Sequence, residues 1–267
     1  MKTIVIKAGG KAAESSSLIT EMALEIKSLI SEGYRIVFVH GGGAAVSSIQ
    51  KQYNLEPRFI DGRRMTSVPE MDLVDMGLAG LMNKHLVRLF QKSGLNAVGL
   101  SGADGSLIIS ESAEFTGSEE NRTGTVKDVD PSLLEILMKN NFFPVLSSVS
   151  TDSDGKGMNI NADEAALAVA GAVNADDLIF ISDIPGILIQ GAVVSSMDEK
   201  YIEDSISNGD IQGGMIPKVR SSLAAIRQGV KEIQITNYEN PGDLEKIIAG
   251  TKGTSIILRN PAALIKD

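Results

Sequence analysis

Residues 35–43 read Arg35-Ile-Val-Phe-Val-His-Gly-Gly-Gly43, an unbroken apolar run followed by a histidine and three glycines. A strand with one wet face alternates apolar and polar residues, whereas a run without alternation suits a strand buried on both faces. Glycines at its end allow an immediate turn and let backbone N–H groups approach a ligand with no Cβ in the way. Upstream, Thr3-Ile-Val-Ile-Lys-Ala-Gly-Gly10 has the same design. Between the two lies an amphipathic stretch, residues 18–32, closed by Gly33 as a helix C-terminus should be. Strand, helix, strand, helix with glycines at the strand ends predicts an α/β fold with a parallel sheet wrapped by helices.

The pattern continues outward. Ser67-Val-Pro-Glu70 opens a long helix, with Ser67 at the N-cap, Pro69 in the first turn and Glu70 completing a capping box. Met71, Val74, Leu78, Leu81, Leu86 and Leu89 form its apolar stripe, and Gly94 ends it. Gly77 and Gly80 admit a second helix at close range, within the core or across a subunit contact. Residues 97–100 and 106–109 read as short strands around the turn Gly102-Ala-Asp-Gly105, and residues 121–130 as a loop or hairpin. A buried strand over 143–146 and a turn at Asp152-Ser-Asp-Gly155 precede an alanine-rich helix over 163–175. The strand over 178–181 empties into Ser182-Asp-Ile-Pro-Gly186. A helix then runs from Gly213-Gly214 to about Gln228, and strands over 232–236 and 255–258 finish the pattern. One domain, residues 1–267, is expected, with a boundary between lobes near Gly171 to Asn174.

Composition narrows the chemistry. The 267 residues are 43% hydrophobic and 22% charged, enough for a large core without a disordered segment. The net charge of −9 gives no electrostatic footprint for nucleic acid or an anionic membrane. With no cysteine, disulfides, thiolate nucleophiles and Cys-ligated metals are excluded. The opening residues lack signal-peptide features, and no run approaches the ~18 apolar residues of a membrane span, so a cytoplasmic location is expected.

Neither a G-x-x-x-x-G-K-[ST] loop nor a G-x-G-x-x-G fingerprint is present. The two glycine loops nonetheless sit where parallel strands end, which is where an open sheet forms its ligand crevice, and each precedes a helix N-terminus. The plainer alternative is a pair of tight strand-to-helix turns. His-Gly-Gly-Gly also resembles an esterase oxyanion loop, but that needs G-x-S-x-G, and Gly99-Leu-Ser-Gly-Ala103 breaks it. His40 is assigned no proton-transfer role. Lys7 ends a buried strand, Arg64 offers a planar fork for a carboxylate, and Asn161 suits a helix cap ahead of Asp163. Lys218 falls in a first helical turn. Each has an innocent explanation by itself; their order and spacing together do not.

Six motifs in order carry a resemblance: Ile4-Val-Ile-Lys-Ala-Gly-Gly10, Val39-His-Gly-Gly-Gly43, Asp61-Gly-Arg-Arg-Met-Thr66, Met158-Asn-Ile-Asn-Ala-Asp163, Ile181-Ser-Asp-Ile-Pro-Gly-Ile187 and Gly213-Gly-Met-Ile-Pro-Lys218. The sequence is similar to the amino acid kinase family over nearly its whole length. The resemblance implies a three-layer αβα sandwich, the carbamate kinase-like fold. It implies an acyl amino acid in an N-terminal lobe (about 1–173) that also dimerises, and ATP with Mg²⁺ in a C-terminal lobe (about 174–267). It further implies phosphorylation of the γ-carboxylate of N-acetyl-L-glutamate, the second step of arginine biosynthesis, with no metal site of the protein's own.

Carried over by position, Lys7 and Lys218 stabilise the transferring phosphoryl group and Asp163 orients both. Gly10, Gly42 and Gly43 offer backbone N–H groups. Arg64 and Asn159 grip the acetylglutamate, while Arg63 faces elsewhere. Asp183, Ile184, Pro185, Gly186, Ile187, Leu188, Asp210, Ile211 and Gln212 contact the nucleotide. The inventory suits the chemistry, because a carboxylate is already anionic at neutral pH and needs no general base. Holding the reactants in line and neutralising charge remain.

Lys11 and Ala44-Ala45 depart from the family pattern beside the site. The sequence begins at its first strand, so a homodimer without arginine feedback is expected rather than a helix-linked hexamer. Two alternatives stand: a sister kinase acting on carrier-protein-linked aminoadipate or glutamate, and a catalytically silent ligand sensor.

Overall fold

The computed structural model describes residues 1–60, 62–113 and 121–258, except for the side chain of Lys11. Asp61 of the Asp61-Gly-Arg-Arg-Met-Thr66 motif and the Lys11 side chain lie outside these described residues.

The chain begins with β1 (Thr3–Ala8), the short helix α1 (Gly10–Glu14), α2 (Ser16–Ser31), β2 (Arg35–His40) and α3 (Gly43–Gln52). A hairpin of β3 (Arg58–Ile60) and β4 (Arg63–Met65) leads into a long helical rod. The rod comprises α4 (Val68–Asp75), a π-helical segment (Met76–Met82) and α5 (Asn83–Lys92). Next come β5 (Ala97–Ser101), β6 (Ile108–Ser112), β7 (Gly124–Val129), α6 (Ser132–Lys139), β8 (Phe143–Ser147), β9 (Val149–Thr151), β10 (Gly157–Asn159) and α7 (Ala162–Ala172). The final third holds β11 (Asp177–Ile181), β12 (Leu188–Ile189), β13 (Ala192–Val193), β14 (Ser196–Met197) and α8 (Glu199–Ser207). It closes with α9 (Met215–Arg227), β15 (Glu232–Thr236), α10 (Asp243–Ile248) and β16 (Thr254–Ile257).

Eight strands form the central sheet in the order β14-β16-β15-β11-β1-β2-β8-β5. Every pairing is parallel except β15 with β16. The unbroken apolar runs are explained by burial on both faces. Along β1, Ile4 and Ile6 join the core under α2 and α5, while Val5 joins the core under α7 and α9. On the α5 side Phe38, Phe90 and Phe143 pack edge to face, with Phe90 centred 5.0 Å from each of the others, a favoured aromatic geometry. Helices therefore cover both faces, as the α/β pattern predicts.

The structure fills in two local expectations and revises a third. β5 and β6 do not pair across their turn: β5 is the edge of the central sheet, and β6 enters a second sheet of order β10-β9-β6-β7. Residues 124–129 form a true strand, antiparallel to β6. In the rod, Leu81 is 57% exposed rather than buried, because the wider π turns rotate it off the stripe set by an α-helical period. Gly77 does allow a close approach, but to α3 of the same chain: a Cβ there would lie 3.0 Å from Val46 Cγ2. At Gly80 an added Cβ would meet, among the described residues, only the Asp75 carbonyl of its own rod at 3.6 Å.

Candidate active site

β1 and β11 lie side by side in the sheet, and α7 packs across the same face as Val5. With the two-residue period of a strand, Lys7 points to that face too. α7 starts there, capped by Asn161, whose Oδ1 accepts from the N–H of Asp163 at 2.8 Å and of Glu164 at 3.4 Å. The cap fixes the first helical turn and with it Asp163. Lys7 Nζ lies 2.7 Å from Asp163 Oδ1, and Lys218 Nζ, from the first turns of α9, lies 3.2 Å from Oδ2. Burial pushes the Asp163 carboxyl up, but the two ammonium groups outweigh it and hold the carboxyl below its usual range. Lys218 also sits 4.7 Å from the centre of the Phe180 ring, a cation–π contact that limits where its stem can go.

The glycine loop after β2 closes a cavity of about 180 Å³ lined by Gly42, Gly43, Arg64, Asn159 and Phe59, among others. Gly42 has φ 157°, and a Cβ on it would lie 2.9 Å from Leu78 Cδ2, so only glycine brings the backbone this near the rod. Arg64 is only 9% exposed, yet its guanidinium is well held. Nη1 donates to Gln50 Oε1 at 2.5 Å, and Nη2 donates to the Gly43 carbonyl and to Ser47 Oγ, both at 2.8 Å. Its carbon lies 4.8 Å from the Phe59 ring centre, across the β3–β4 register. Asn159 Nδ2 donates to Thr66 Oγ1 at 2.9 Å. A larger groove of about 830 Å³ is lined by Asp163, Lys218, Phe180 and α7 and α9, and it shares Gly62, Arg63 and Asn161 with the cavity.

The structure thus brings Lys7, Asp163 and Lys218 together, and Gly42, Gly43, Arg64 and Asn159 beside them. Gly10, at φ 57°, packs on Asp183, since a Cβ there would fall 2.6 Å from Asp183 Oδ2. Ile184, Pro185, Gly186, Ile187 and Leu188 follow β11 as a loop entering β12. Asp210, Ile211 and Gln212 form the turn between α8 and α9. Neither cavity is lined by these residues. Ile187 and Ile211 are buried in the core, so their backbones alone can face a ligand.

Arg63 departs from expectation. It lines both cavities and pairs with Glu164 at 2.8 Å. His40 is fully buried. Burial pushes its pKa down to about 4, and one ring nitrogen donates to the Gly41 carbonyl at 2.8 Å while the other accepts from Asn83 Nδ2 at 3.0 Å. Both ring nitrogens are thus engaged within the protein. Gln50, Ser47 and Phe59 were not marked by the sequence. Gln50 carries no signal beyond lying two turns after the glycine loop.

The chain matches the Amino acid kinase family model over residues 2–237. It is 37% identical to acetylglutamate kinase from Bacillus velezensis, over 94% of this chain and 96% of that protein. The identity to acetylglutamate kinase from Leptospira biflexa is 41%, over 90% and 85% respectively. Among solved structures, smu.665 from Streptococcus mutans superposes with a TM-score of 0.81 at 28% identity, covering 96% of this chain and 99% of that one. Carbamate kinase from Giardia lamblia, at 19% identity, shares the fold with a TM-score of 0.71, covering 97% and 99%. The motif order, the parallel sheet with helices on both faces and these likenesses agree: the chain belongs to the amino acid kinase family.

Proposed function

We propose that the protein transfers the γ-phosphoryl group of ATP to the γ-carboxylate of N-acetyl-L-glutamate, giving N-acetyl-L-glutamyl 5-phosphate and ADP in arginine biosynthesis. The observation that carries this is the convergence of Lys7 and Lys218 on Asp163, next to a cavity holding the buried Arg64.

Arg64 meets the α-carboxylate of the acceptor with the donors its protein partners leave over, and Asn159 and the Gly42 and Gly43 N–H groups complete the grip. The γ-carboxylate then needs no base. Charge builds on the transferring group as the bond to the leaving oxygen lengthens, and the Lys7 and Lys218 ammonium groups meet that charge. Asp163 holds both ammonium groups in place before reaction, so little reorganisation is left for the transition state. Among the described residues no cluster of three His, Cys, Asp or Glu is placed to hold a metal ion. Mg²⁺ would therefore arrive on the nucleotide phosphates, where it supplies further charge neutralisation. Gly10, the Asp183 to Leu188 loop and the Asp210 to Gln212 turn are assigned to the nucleotide in a C-terminal lobe from about residue 174. The acyl amino acid is assigned to residues before it.

The reading includes a cytoplasmic homodimer, for which exposed Met76 and Leu81 on the rod offer apolar contact area. Light scattering at the monomer mass would remove that part alone. A sister kinase acting on a carrier-protein-linked substrate would want a basic docking rim, and Arg63 is already committed to Glu164. A silent sensor would have no use for two lysines on one aspartate. ADP release measured across N-acetyl-L-glutamate, L-glutamate, L-aspartate and N-acetyl-L-aminoadipate tests the proposal. Turnover should be confined to N-acetyl-L-glutamate; preference for another acceptor, or no turnover with any, would overturn it.

A further inference from the structure

Arg64 poses a physical problem that its neighbours solve. A guanidinium taken out of water needs both hydrogen-bond partners and compensating charge. Among the described residues three of its five N–H groups find acceptors, and all three acceptors are neutral: Gln50 Oε1, the Gly43 carbonyl and Ser47 Oγ. The negative charge stands one step further back. Gln50, fully buried at the end of α3, donates from Nε2 to Glu70 Oε1 at 2.9 Å. Glu70 Oε2 in turn accepts from Ser67 N–H at 2.9 Å and Ser67 Oγ at 2.6 Å. The capping box of α4 therefore does more than start a helix.

Gln50 is an amide whose two ends are both used and in only one orientation. Its oxygen faces a cation and its NH₂ faces a carboxylate, so the relay cannot flip without placing like against like. Burial lowers the Arg64 pKa and Glu70 works against that shift. Burial likewise raises the Glu70 carboxyl, and hydrogen bonds from Ser67 and Gln50 more than offset it. An arginine left unbraced would have several rotamers in a cavity open to solvent; braced, it presents its remaining donors in one direction.

We propose that Gln50 and Glu70 are positioning residues, a relay that transmits the Glu70 charge to Arg64 and fixes its fork for the acceptor's carboxylate. This rests on the assignment of Arg64 to the acetylglutamate. The relay sets acceptor affinity and leaves the phosphoryl-transfer step to the lysines.

The test uses the full chain with N-acetyl-L-glutamate and ATP, comparing Arg64→Lys, Gln50→Glu, Glu70→Gln and the double variant Gln50→Glu/Glu70→Gln. Gln50→Glu places two carboxylates against each other, and Glu70→Gln removes the charge. The double variant exchanges amide and carboxylate and gives every bond a matched donor and acceptor again, with the bond between positions 50 and 70 reversed, since the amide at position 70 can donate to the carboxylate at position 50 while its oxygen still accepts from Ser67. Each single change should raise the acetylglutamate KM about tenfold, with kcat and the ATP KM within about threefold, and the double variant should return the KM to within about threefold of the parent. A general packing defect would not be repaired by that exchange. If Gln50→Glu fails to fold, Gln50→Met keeps the length and removes both bonds, and its KM is read the same way. Single variants with unchanged KM beside an impaired Arg64→Lys, or a double variant no better than the singles, would overturn the relay alone. An unchanged acetylglutamate KM in Arg64→Lys would overturn the assignment of Arg64 and the relay with it.

Discussion

Asn161 Oδ1 accepts a hydrogen bond from the backbone N–H of Asp163, 2.8 Å away, so the residue that caps α7 also holds the residue that gathers both lysines. A helix cap at a surface would matter to stability alone. Here it fixes the origin of a three-residue charge cluster. Asn161→Ala should cost about 1 kcal/mol of stability and in addition lower kcat, because Asp163 loses its fixed turn. Thermal unfolding and steady-state kinetics on the same samples check both; a stability loss with normal kcat would confine Asn161 to capping.

Lys218→Ala should lower kcat by about 10²-fold or more while the ATP KM stays within several-fold, since the charge is needed most in the transition state. A near-normal kcat removes Lys218 from the mechanism. The cation–π contact with Phe180 adds a companion variant: Phe180→Leu keeps the core filled and should lower kcat by a smaller factor, about threefold.

Gly42→Ala has nowhere to put its methyl, with Leu78 Cδ2 at 2.9 Å and Met82 Cγ at 3.2 Å from the ideal Cβ position. The loop would have to lift off the rod. A rise in acetylglutamate KM of about tenfold or more is expected, with smaller change in the ATP KM. Gly62→Ala gives a comparison, because a Cβ there meets nothing within 4 Å although φ is 76°. Backbone strain without a clash should give the milder effect.

Asp177, at the start of β11, is buried, and among the described residues its Oδ2 has no hydrogen bond and only a 3.9 Å approach from Lys2. Burial pushes its carboxyl up to about 6. The folded state therefore binds this proton more tightly than the unfolded chain does. Its contribution to stability is full at low pH and is lost as pH rises through about 6. Asp177→Asn should raise the melting temperature by a few degrees at pH 8 and leave it nearly unchanged at pH 4. A gain that is equal at both pH values would refute the linkage.

Much of this was legible because it is local. The unbroken runs at residues 4–6 and 36–39 mark doubly buried strands, Ser67 and Glu70 spell a capping box, and Asn161 caps as its type prefers. The convergence of Lys7 and Lys218 was not local. No spacing rule links residues so far apart, and the family pattern alone placed them together. Gln50 was silent because an amide inside an amphipathic helix looks like an exposed polar residue until its partners are known. Leu81 was misplaced because the π-helical turns carry no mark in the residues themselves. The helices α6, α8 and α10 span 8, 9 and 6 residues, too few turns for periodicity to stand out.

β1 is hydrogen-bonded along both edges, yet its two neighbours arrive at very different times. β2 follows after only α1 and α2, whereas the other edge waits for β11, which sets Asp177 beside Ile4. During synthesis the β1–β2 pair is left with an unmatched, β-branched edge until residues 177–181 have been made. Such an edge is a template for pairing with another molecule, and closing it needs a contact of very high sequence separation, which is slow. The strand that carries Lys7 is thus among the earliest made, yet its second edge waits for β11 and its partner Lys218 waits for α9, so the catalytic centre cannot assemble until most of the chain has been made.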